Sequence, residues 1–243
     1  MSARSVGGTF VLAMGGLLLA GAYRAEAACP NLSVVTSYDF GDGAGAVPAH
    51  RHPKGCGIVA NTATLAPNAY VGPNARVYQN AKVRDTASIE EYTRVYGSAI
   101  VMSNSKVRNY ARVYGQALVG YYYDSGRLSK DAVVDGYGIV RGKARIGSLA
   151  RVGGNGIVEG EATVNCGAYV DGNGRMQERS YLAGVIRFSD HGSGPCNGYH
   201  FDGIYGHVTG TALLKGCFKI AGGTLSSGVY EIPLGSAQCH GVH

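Results

Sequence analysis

NARVYQNAKVRDTASIEEYTRVYGSAIVMSNSKVRNYARVYG, residues 74–115, repeats one simple pattern. Every sixth residue from Val77 onward is aliphatic, and a small residue stands two places before each one. The same pattern, with an apolar residue at every sixth position and a small residue two places before it, holds from Val59 to Val119. After a shift of three residues it holds again from Leu128 to Leu182. A period of six matches neither a helix face nor an alternating strand. It is typical of a parallel β-helix, in which each hexad is one short strand and one turn.

The apolar residue of each hexad is expected to point inward and stack on its equivalent in the next coil. The small residue also points inward, near a corner where a larger side chain would not fit. Three hexads make one triangular coil, so residues 18 apart stack at the ~4.8 Å spacing of neighbouring strands. Twenty-one hexads therefore predict an all-β fold, a parallel β-helix of about seven triangular coils over residues 57–183.

These hexads resemble the hexapeptide-repeat family, of which the segments Asn74–Tyr78 and Tyr110–Tyr114 are typical. The resemblance covers about half of the chain. It implies a left-handed coil, an exception to the usual right-handed crossover between parallel strands. It says little about function, because many functions occur on this scaffold.

The segments outside the repeat predict an exported protein with a cap at each end. Residues 1–27 look like a signal peptide, with Arg4, an apolar run and a small-x-small cleavage pattern ending at Ala27. Residues 28–56 are predicted to form an N-terminal cap, and residues 184–243 a β-rich C-terminal cap, because open β-helix ends expose unpaired strand edges. Val208, Leu214 and Ile220 return to a spacing of six, which leaves open one more partial coil or a packed hairpin. We expect a secreted or periplasmic protein that does not span a membrane.

Six cysteines support export, because an even number in an exported chain favours disulfides. They are Cys29, Cys56, Cys166, Cys196, Cys217 and Cys239. We predict three intramolecular disulfides that tie the two caps, and the connectivity is left open. None has the spacing of a zinc site, and no metal or cofactor is predicted.

The shift of three residues predicts a short loop after Val119. This loop carries three adjacent tyrosines, Tyr121, Tyr122 and Tyr123, which cannot all point inward. One interpretation is that at least one of them stacks on a ligand such as a sugar ring. The other is that they pack over the neighbouring face as a local cover.

The outward positions next to the inward residues predict a basic face. Stacked by eighteen, one face carries Arg76 with Tyr78, Arg94 with Tyr96, and Arg112 with Tyr114, and the shift of three continues this column with Val133 and Asp135. Another face carries Lys106 with Arg108, then Arg127 with Ser129 and Arg145 with Gly147. Because like charges on adjacent strands repel, the arginines call for compensation, either from the tyrosines or from an anionic polymer that they bind bidentately. Duplicated sequence with no binding role is the alternative.

Several functions of this scaffold are disfavoured by missing residues. Residues 57–190 contain no histidine, whereas the hexapeptide acyltransferases that the repeat resembles use a catalytic histidine and the γ-class carbonic anhydrases use three as metal ligands. An acyltransferase-like role is therefore the least favoured of the functional hypotheses. The net charge of +6 is compatible with binding to nucleic acid, but nucleic acid is a poor target for an exported protein.

The first functional hypothesis is a module that binds an acidic polysaccharide through Arg76, Arg94, Arg112, Lys106, Arg108 and the loop tyrosines. The alternative is a polysaccharide lyase that cleaves a polyuronate by β-elimination. There, an arginine would neutralise the carboxylate and Tyr78, Tyr96 or Tyr114 would act as base. Since the ordinary pKa of tyrosine is ~10, the arginines would have to lower it. A homo-oligomer is left open.

Overall fold

The computed structural model describes Cys29, residues 35–121, residues 132–183 apart from Ser148, Cys166 and Gly167, and the strands beyond residue 183 together with Ser227 and Gly228. The described residues form 29 short strands. In chain order they are β1 (Ser37–Asp39), β2 (Ala46–Arg51), β3 (Ile58–Ala60), β4 (Thr64–Leu65), β5 (Tyr70–Val71), β6 (Arg76–Val77), β7 (Lys82–Val83), β8 (Ser88–Ile89), β9 (Arg94–Val95), β10 (Ile100–Val101), β11 (Lys106–Val107), β12 (Arg112–Val113), β13 (Leu118–Tyr121), β14 (Val133–Val134), β15 (Ile139–Val140), β16 (Arg145–Gly147), β17 (Arg151–Val152), β18 (Ile157–Val158), β19 (Thr163–Asn165), β20 (Tyr169–Gly172), β21 (Arg175–Met176), β22 (Tyr181–Ala183), β23 (His200–Gly203), β24 (His207–Val208), β25 (Leu213–Lys215), β26 (Phe218–Ile220), β27 (Thr224–Leu225), β28 (Val229–Glu231) and β29 (His240–Val242).

Consecutive strands from β3 onward pass in turn to three parallel sheets, which form the three faces of a coil. Face 1 is the sheet β1-β2-β3-β6-β9-β12-β15-β18-β21-β24-β27, face 2 is β4-β7-β10-β13-β16-β19-β22-β25-β28, and face 3 is β5-β8-β11-β14-β17-β20-β23-β26-β29. The predicted all-β fold, a parallel β-helix, is confirmed. Among the described residues, no helix is long and apolar enough to span a membrane.

The core consists of the two inward positions of each hexad. The inward aliphatic side chains of the hexads from Val71 to Val119 and from Val134 to Val170 have no exposed surface, and neither have alanines such as Ala75 and Ala111. Each inward residue pairs in register with its equivalent one coil away, as Val77 does with Val95. The strands hold together through this stack of small apolar layers and through hydrogen bonds between coils, such as that from Arg76 N to Thr93 O (3.0 Å).

From Gln79 onward, a left-handed backbone conformation two residues after the inward aliphatic closes most of the described turns. Glycine, which adopts positive φ without steric cost, occupies this position at Gly97 and Gly115. Where it is not glycine, the side chain often bonds to the next coil: Gln79 Oε1 accepts from Gly97 N (2.9 Å), and Asp85 Oδ2 accepts from Ser103 N (2.8 Å). These bonds offset the cost of positive φ for residues with a Cβ.

The insertion after Val119 is longer than the predicted shift of three. Val107 pairs directly with Val134, 27 residues away rather than 18, so nine residues lie outside the stack. The hexad assigned to Leu128 therefore has no counterpart among the described strands, in which β14 follows β13. Residues 122–131 lie outside the described part of the chain. The predicted length of the insertion was wrong because six of the nine extra residues preserve the period of six. A small residue and an apolar residue within them match the repeat pattern by chance.

This correction moves every outward residue beyond the insertion to another face. Arg112 is followed on face 1 by Ile139, not by Val133. Lys106 is followed on face 3 by Val133, not by Arg127, and Arg145 lies on face 2, next to Leu118. The predicted columns are thus right up to Arg112 and wrong after it.

The N-terminal segment is an antiparallel hairpin that extends face 1. Strand β2 pairs antiparallel with both β1 and β3. A disulfide joins Cys29 to Cys56, where the chain enters the coil. One of the predicted disulfides is therefore present; the other four cysteines lie outside the described residues.

Beyond Ala183 the described strands keep the parallel order of the three faces. Arg175 pairs with His207, and Tyr181 with Leu213. This pairing favours further coil over a packed hairpin in this segment.

Candidate functional site

Three arginines lie one above another on face 1. Arg76, Arg94 and Arg112 are neighbours in register on β6, β9 and β12, which confirms the predicted column; we call this set the arginine ladder. Within the described residues, none of the three forms an ion pair with an acidic group. At the N-terminal end, the guanidinium of Arg76 lies 5.2 Å from the ring centroid of Tyr38 in the hairpin. Stacked cations without counter-charges repel one another, and this repulsion favours an anionic ligand.

The tyrosines two residues after each of these arginines form the inner tyrosine ladder: Tyr78, Tyr96 and Tyr114. Their rings stack in parallel, with centroids 4.8 Å and 4.7 Å apart. Phe40 of the hairpin covers the far face of Tyr78 at 4.6 Å, and Tyr78 is only 3% exposed. Because the ring faces are occupied by other rings, the faces between the stacked members are closed to a sugar.

The inner tyrosine ladder is also poorly suited to act as a base. Burial, reinforced by the neighbouring Tyr96 hydroxyl, raises the pKa of Tyr78 to about 12. Burial likewise raises the pKa of Tyr96. The hydroxyl of Tyr114 accepts a hydrogen bond from Arg141 Nη1 (3.1 Å). A lyase base would need a lowered pKa, and Tyr78 and Tyr96 have the opposite shift.

A second set of stacked tyrosines, which the sequence analysis missed, lies along the corner between faces 3 and 1. This corner tyrosine ladder consists of Tyr92, Tyr110 and Tyr137, with centroids 5.3 Å and 5.1 Å apart. These rings are 56%, 49% and 59% exposed. Tyr92 and Tyr110 each stand two residues before an arginine of the ladder. The spacing of 18 between them was visible in the sequence; Tyr137 was hidden by the misjudged insertion.

Arg94 and Arg112 therefore lie between two rows of tyrosine. Each is the central residue of a Tyr-x-Arg-x-Tyr motif, in residues 92–96 and 110–114, and alternate side chains of the motif point outward. The inner row is a packed wall. The corner row presents its ring edges and hydroxyl groups to solvent, so it is able to donate and accept hydrogen bonds beside the cations.

The other predicted cations belong to other faces. Arg108 lies on face 3 and donates from Nη2 to the buried Asp135 Oδ2 (3.0 Å), and Arg151 donates to the same oxygen (2.8 Å). Lys106 is exposed on face 3, around the corner from Arg112. Tyr121 ends β13 on face 2, while Tyr122 and Tyr123 lie outside the described residues. The predicted site residues thus do not form one surface.

Beyond Arg112, face 1 is internally neutralised. Glu159, nearly buried, pairs with both Arg141 and Arg175. Burial alone would raise the pKa of Glu159, but hydrogen bonds from Arg175, Gln177 and Arg141 outweigh it, and the pKa is lowered. Because Glu159 is charged at neutral pH, it compensates the two arginines within the protein. The arginine ladder differs in having no such carboxylate within the part of the chain that the structure describes.

Comparisons of the chain with protein-family models, with curated proteins and with solved structures found no match.

The raised pKa of Tyr78 predicts a loss of stability in alkali. Between pH 10 and 12 the unfolded chain ionises this phenol while the folded protein keeps it neutral. Stability is complete below the unfolded pKa and falls by up to about 1.4 kcal/mol per pH unit across that interval. Tyr78→Phe removes this part of the slope, whereas Tyr137→Phe, at an exposed position, should keep it. Urea unfolding at a series of pH values measures the difference, and equal slopes in wild type and Tyr78→Phe would contradict the burial of this hydroxyl.

Proposed function

We propose that this chain is an exported, left-handed β-helix protein, similar to hexapeptide-repeat proteins, that binds an acidic polysaccharide along face 1. The observation that carries the proposal is that the three members of the arginine ladder are stacked in register with no acidic partner in the described residues. Arg108, Arg141, Arg151, Arg175 and Arg179 are all paired with Asp or Glu. The unpaired Lys82 and Lys106 have no other cation next to them in register. Export is supported by the signal-like residues 1–27 and by the Cys29–Cys56 disulfide.

Each part of face 1 has a distinct role in this proposal. The arginine ladder binds carboxylate or sulfate groups, for which the planar guanidinium provides paired donors. The hydroxyl groups of the corner tyrosine ladder bond to sugar hydroxyls on one side of the chain. The inner tyrosine ladder holds the arginines in place from the other side. We do not extend the proposal to a lyase, because Tyr78 and Tyr96 have pKa values shifted away from those of a base.

The ligand should follow face 1 rather than turn the corner onto face 3. Glu90 and Glu91 lie on the face 3 side of Tyr92, and Glu91 accepts a hydrogen bond from Asn109 (2.6 Å). These carboxylates repel a polyanion at that side of the corner. An anionic chain is therefore guided along the axis over the arginine ladder.

Replacing Arg76, Arg94 and Arg112 together by Gln should greatly weaken binding. Three exposed ion pairs of up to about 1 kcal/mol each correspond to a loss of about thirtyfold to a hundredfold in affinity. Salt dependence should also flatten, as fewer counterions are exchanged; the sign carries over from nucleic acids. Calorimetric titration with alginate, pectate and hyaluronan measures both effects.

The matched control removes three cations from the other faces, as Lys82→Gln, Arg84→Gln and Lys106→Gln. Among the described residues these side chains form no ion pair, so the net charge changes equally without altering face 1. This control should retain most of the affinity. Equal losses in the two triple variants would mean that only net charge matters, and no loss in the face 1 variant would overturn the proposal. Ultraviolet absorbance of unsaturated product, followed in the same samples, detects any lyase activity.

A further inference from the structure

The arginine ladder is three residues long, with an apolar position at each end. Ile58 precedes Arg76 in register, and Ile139 follows Arg112. After Ile139 comes Ile157, and the next cation in this column, Arg175, is already paired with Glu159. Beyond Ile58 lies Arg51 of the hairpin, whose guanidinium donates to Cys56 O (2.9 Å). The run of consecutive uncompensated cations on this column therefore covers three coils, and an isoleucine bounds it at each end.

The adjoining column of face 1 stops at the same point. The inner tyrosine ladder ends at Tyr114, and the next residue of that column is Arg141, which donates to the Tyr114 hydroxyl and pairs with Glu159. A polyanion that extended past Arg112 would meet isoleucine on one side and an internally neutralised arginine on the other. Both columns therefore place the boundary of the site between β12 and β15.

The spacing of the charges is set by the coil. Neighbouring parallel strands lie about 4.8 Å apart, so the guanidinium groups repeat along the axis at this interval. A glycan chain that lies along the axis and advances by about one coil spacing per sugar brings a new sugar to each arginine. Such a glycan places three successive charges over three successive coils when every sugar carries an acidic group.

Resting on the proposed function, we infer that the site recognises three consecutive acidic sugars of a linear polyuronate that lies along the axis, from Arg76 to Arg112. A glycan that has an acidic group on alternate sugars, such as hyaluronan, aligns its charges with at most two of the three arginines. The site thus selects its ligand by the spacing of charge as well as by its sign. No cleavage step is part of this inference.

A series of oligosaccharides of increasing length tests this with the unaltered protein. Oligogalacturonates of one to six sugars, titrated by calorimetry, should gain about threefold to fivefold in affinity for each acidic sugar up to three. Beyond three sugars, affinity should grow only slowly, because a longer chain merely offers more equivalent three-sugar segments that can occupy the site. Hyaluronan oligosaccharides of equal total charge should bind more weakly. Steady gains through six sugars, or equal binding of hyaluronan, would overturn the inference.

Lengthening or shortening the ladder should move the plateau. Ile139→Arg adds a fourth cation next in register to Arg112, so the affinity should then reach its plateau at four sugars. Ile139→Gln is the control without the charge, and its affinity should still reach a plateau at three sugars. Arg112→Gln should move it to two. Thermal unfolding of each variant establishes that the coil is intact. If Ile139→Arg does not fold, the length series and Arg112→Gln still decide the question.

The outcomes separate this inference from the proposed function. If the triple Gln variant loses polymer binding but the affinity of the unaltered protein reaches its plateau at a length other than three sugars, face 1 is still the binding site. The inference that the site recognises three consecutive sugars would then be wrong. No binding of any acidic glycan, or binding unchanged in the triple Gln variant, would reject both.

Discussion

Val134→Asp should unfold the central coils of the protein. Val134 points inward with no exposed surface, between Val107 and Val152 in register. A carboxylate at this position has only apolar side chains in its own layer, and an unpaired polar group in such surroundings costs on the order of 4–8 kcal/mol. This is comparable to the whole free energy of unfolding of a typical domain, about 5–15 kcal/mol.

The same substitution one residue earlier provides the control. Val133 points outward on face 3, half-buried, and lies between Lys106 and Arg151 in register. An aspartate there is hydrated and close to two cations, so Val133→Asp should change stability by less than about 1 kcal/mol. Circular dichroism during thermal and urea unfolding compares the two variants. If both lower the melting temperature equally, the inward and outward assignment of this strand is wrong.

The sequence was sufficient to predict the repeat because each hexad imposes the same local requirement. The inward positions from Val59 to Val119 need only their own spacing to be identified, since a slip of one residue would expose the aliphatic side chain. The arginine ladder follows from the same spacing. The fold and the three arginines were therefore predictable before the structure was known.

What lies beyond the insertion was not predictable, because its length decides which residues become neighbours. Asp135 was predicted to follow Tyr114 on the face of the arginine ladder, but it accepts hydrogen bonds from Arg108 and Arg151 on face 3. The burial of Tyr78 was also missed. It depends on Phe40 in the N-terminal hairpin, a contact between segments of different periodicity that no repeat pattern encodes.

Tyr96→Ala should destabilise the protein more than Tyr110→Ala does, although each residue is the central ring of three stacked tyrosines. Tyr96 is half-buried between Tyr78 and Tyr114, and the stack continues to Phe40. Removing its ring leaves a gap between two partly desolvated rings, which are unable to approach each other because the coils fix their spacing. Replacing a buried aromatic residue by Ala costs about 3–5 kcal/mol, and about 2–3 kcal/mol is expected at this half-buried position.

Tyr110 lies in an equivalent stack, but its side chain is 49% exposed. Water fills the space that its ring leaves, so the cost of Tyr110→Ala should be no more than about 1 kcal/mol, close to the value of an exposed aromatic pair. Urea unfolding of the two variants under identical conditions measures the difference. Similar costs would mean that the hairpin does not shield the inner tyrosine ladder.

For ligand binding we expect the opposite order of effects, with the substitution at Tyr110 mattering more than the one at Tyr96. Tyr96→Phe keeps the stacked ring and loses only a hydroxyl that takes no part in the proposed contact, so the affinity for polyuronate should be unchanged. Tyr110→Phe removes a hydroxyl beside Arg112, and the affinity should fall by about threefold to tenfold, the equivalent of one hydrogen bond. Calorimetric titration of both Phe variants, with their unfolding curves as a check, separates the packed wall from the binding edge. Loss of affinity in Tyr96→Phe with none in Tyr110→Phe would place the ligand on the opposite side of the arginine ladder.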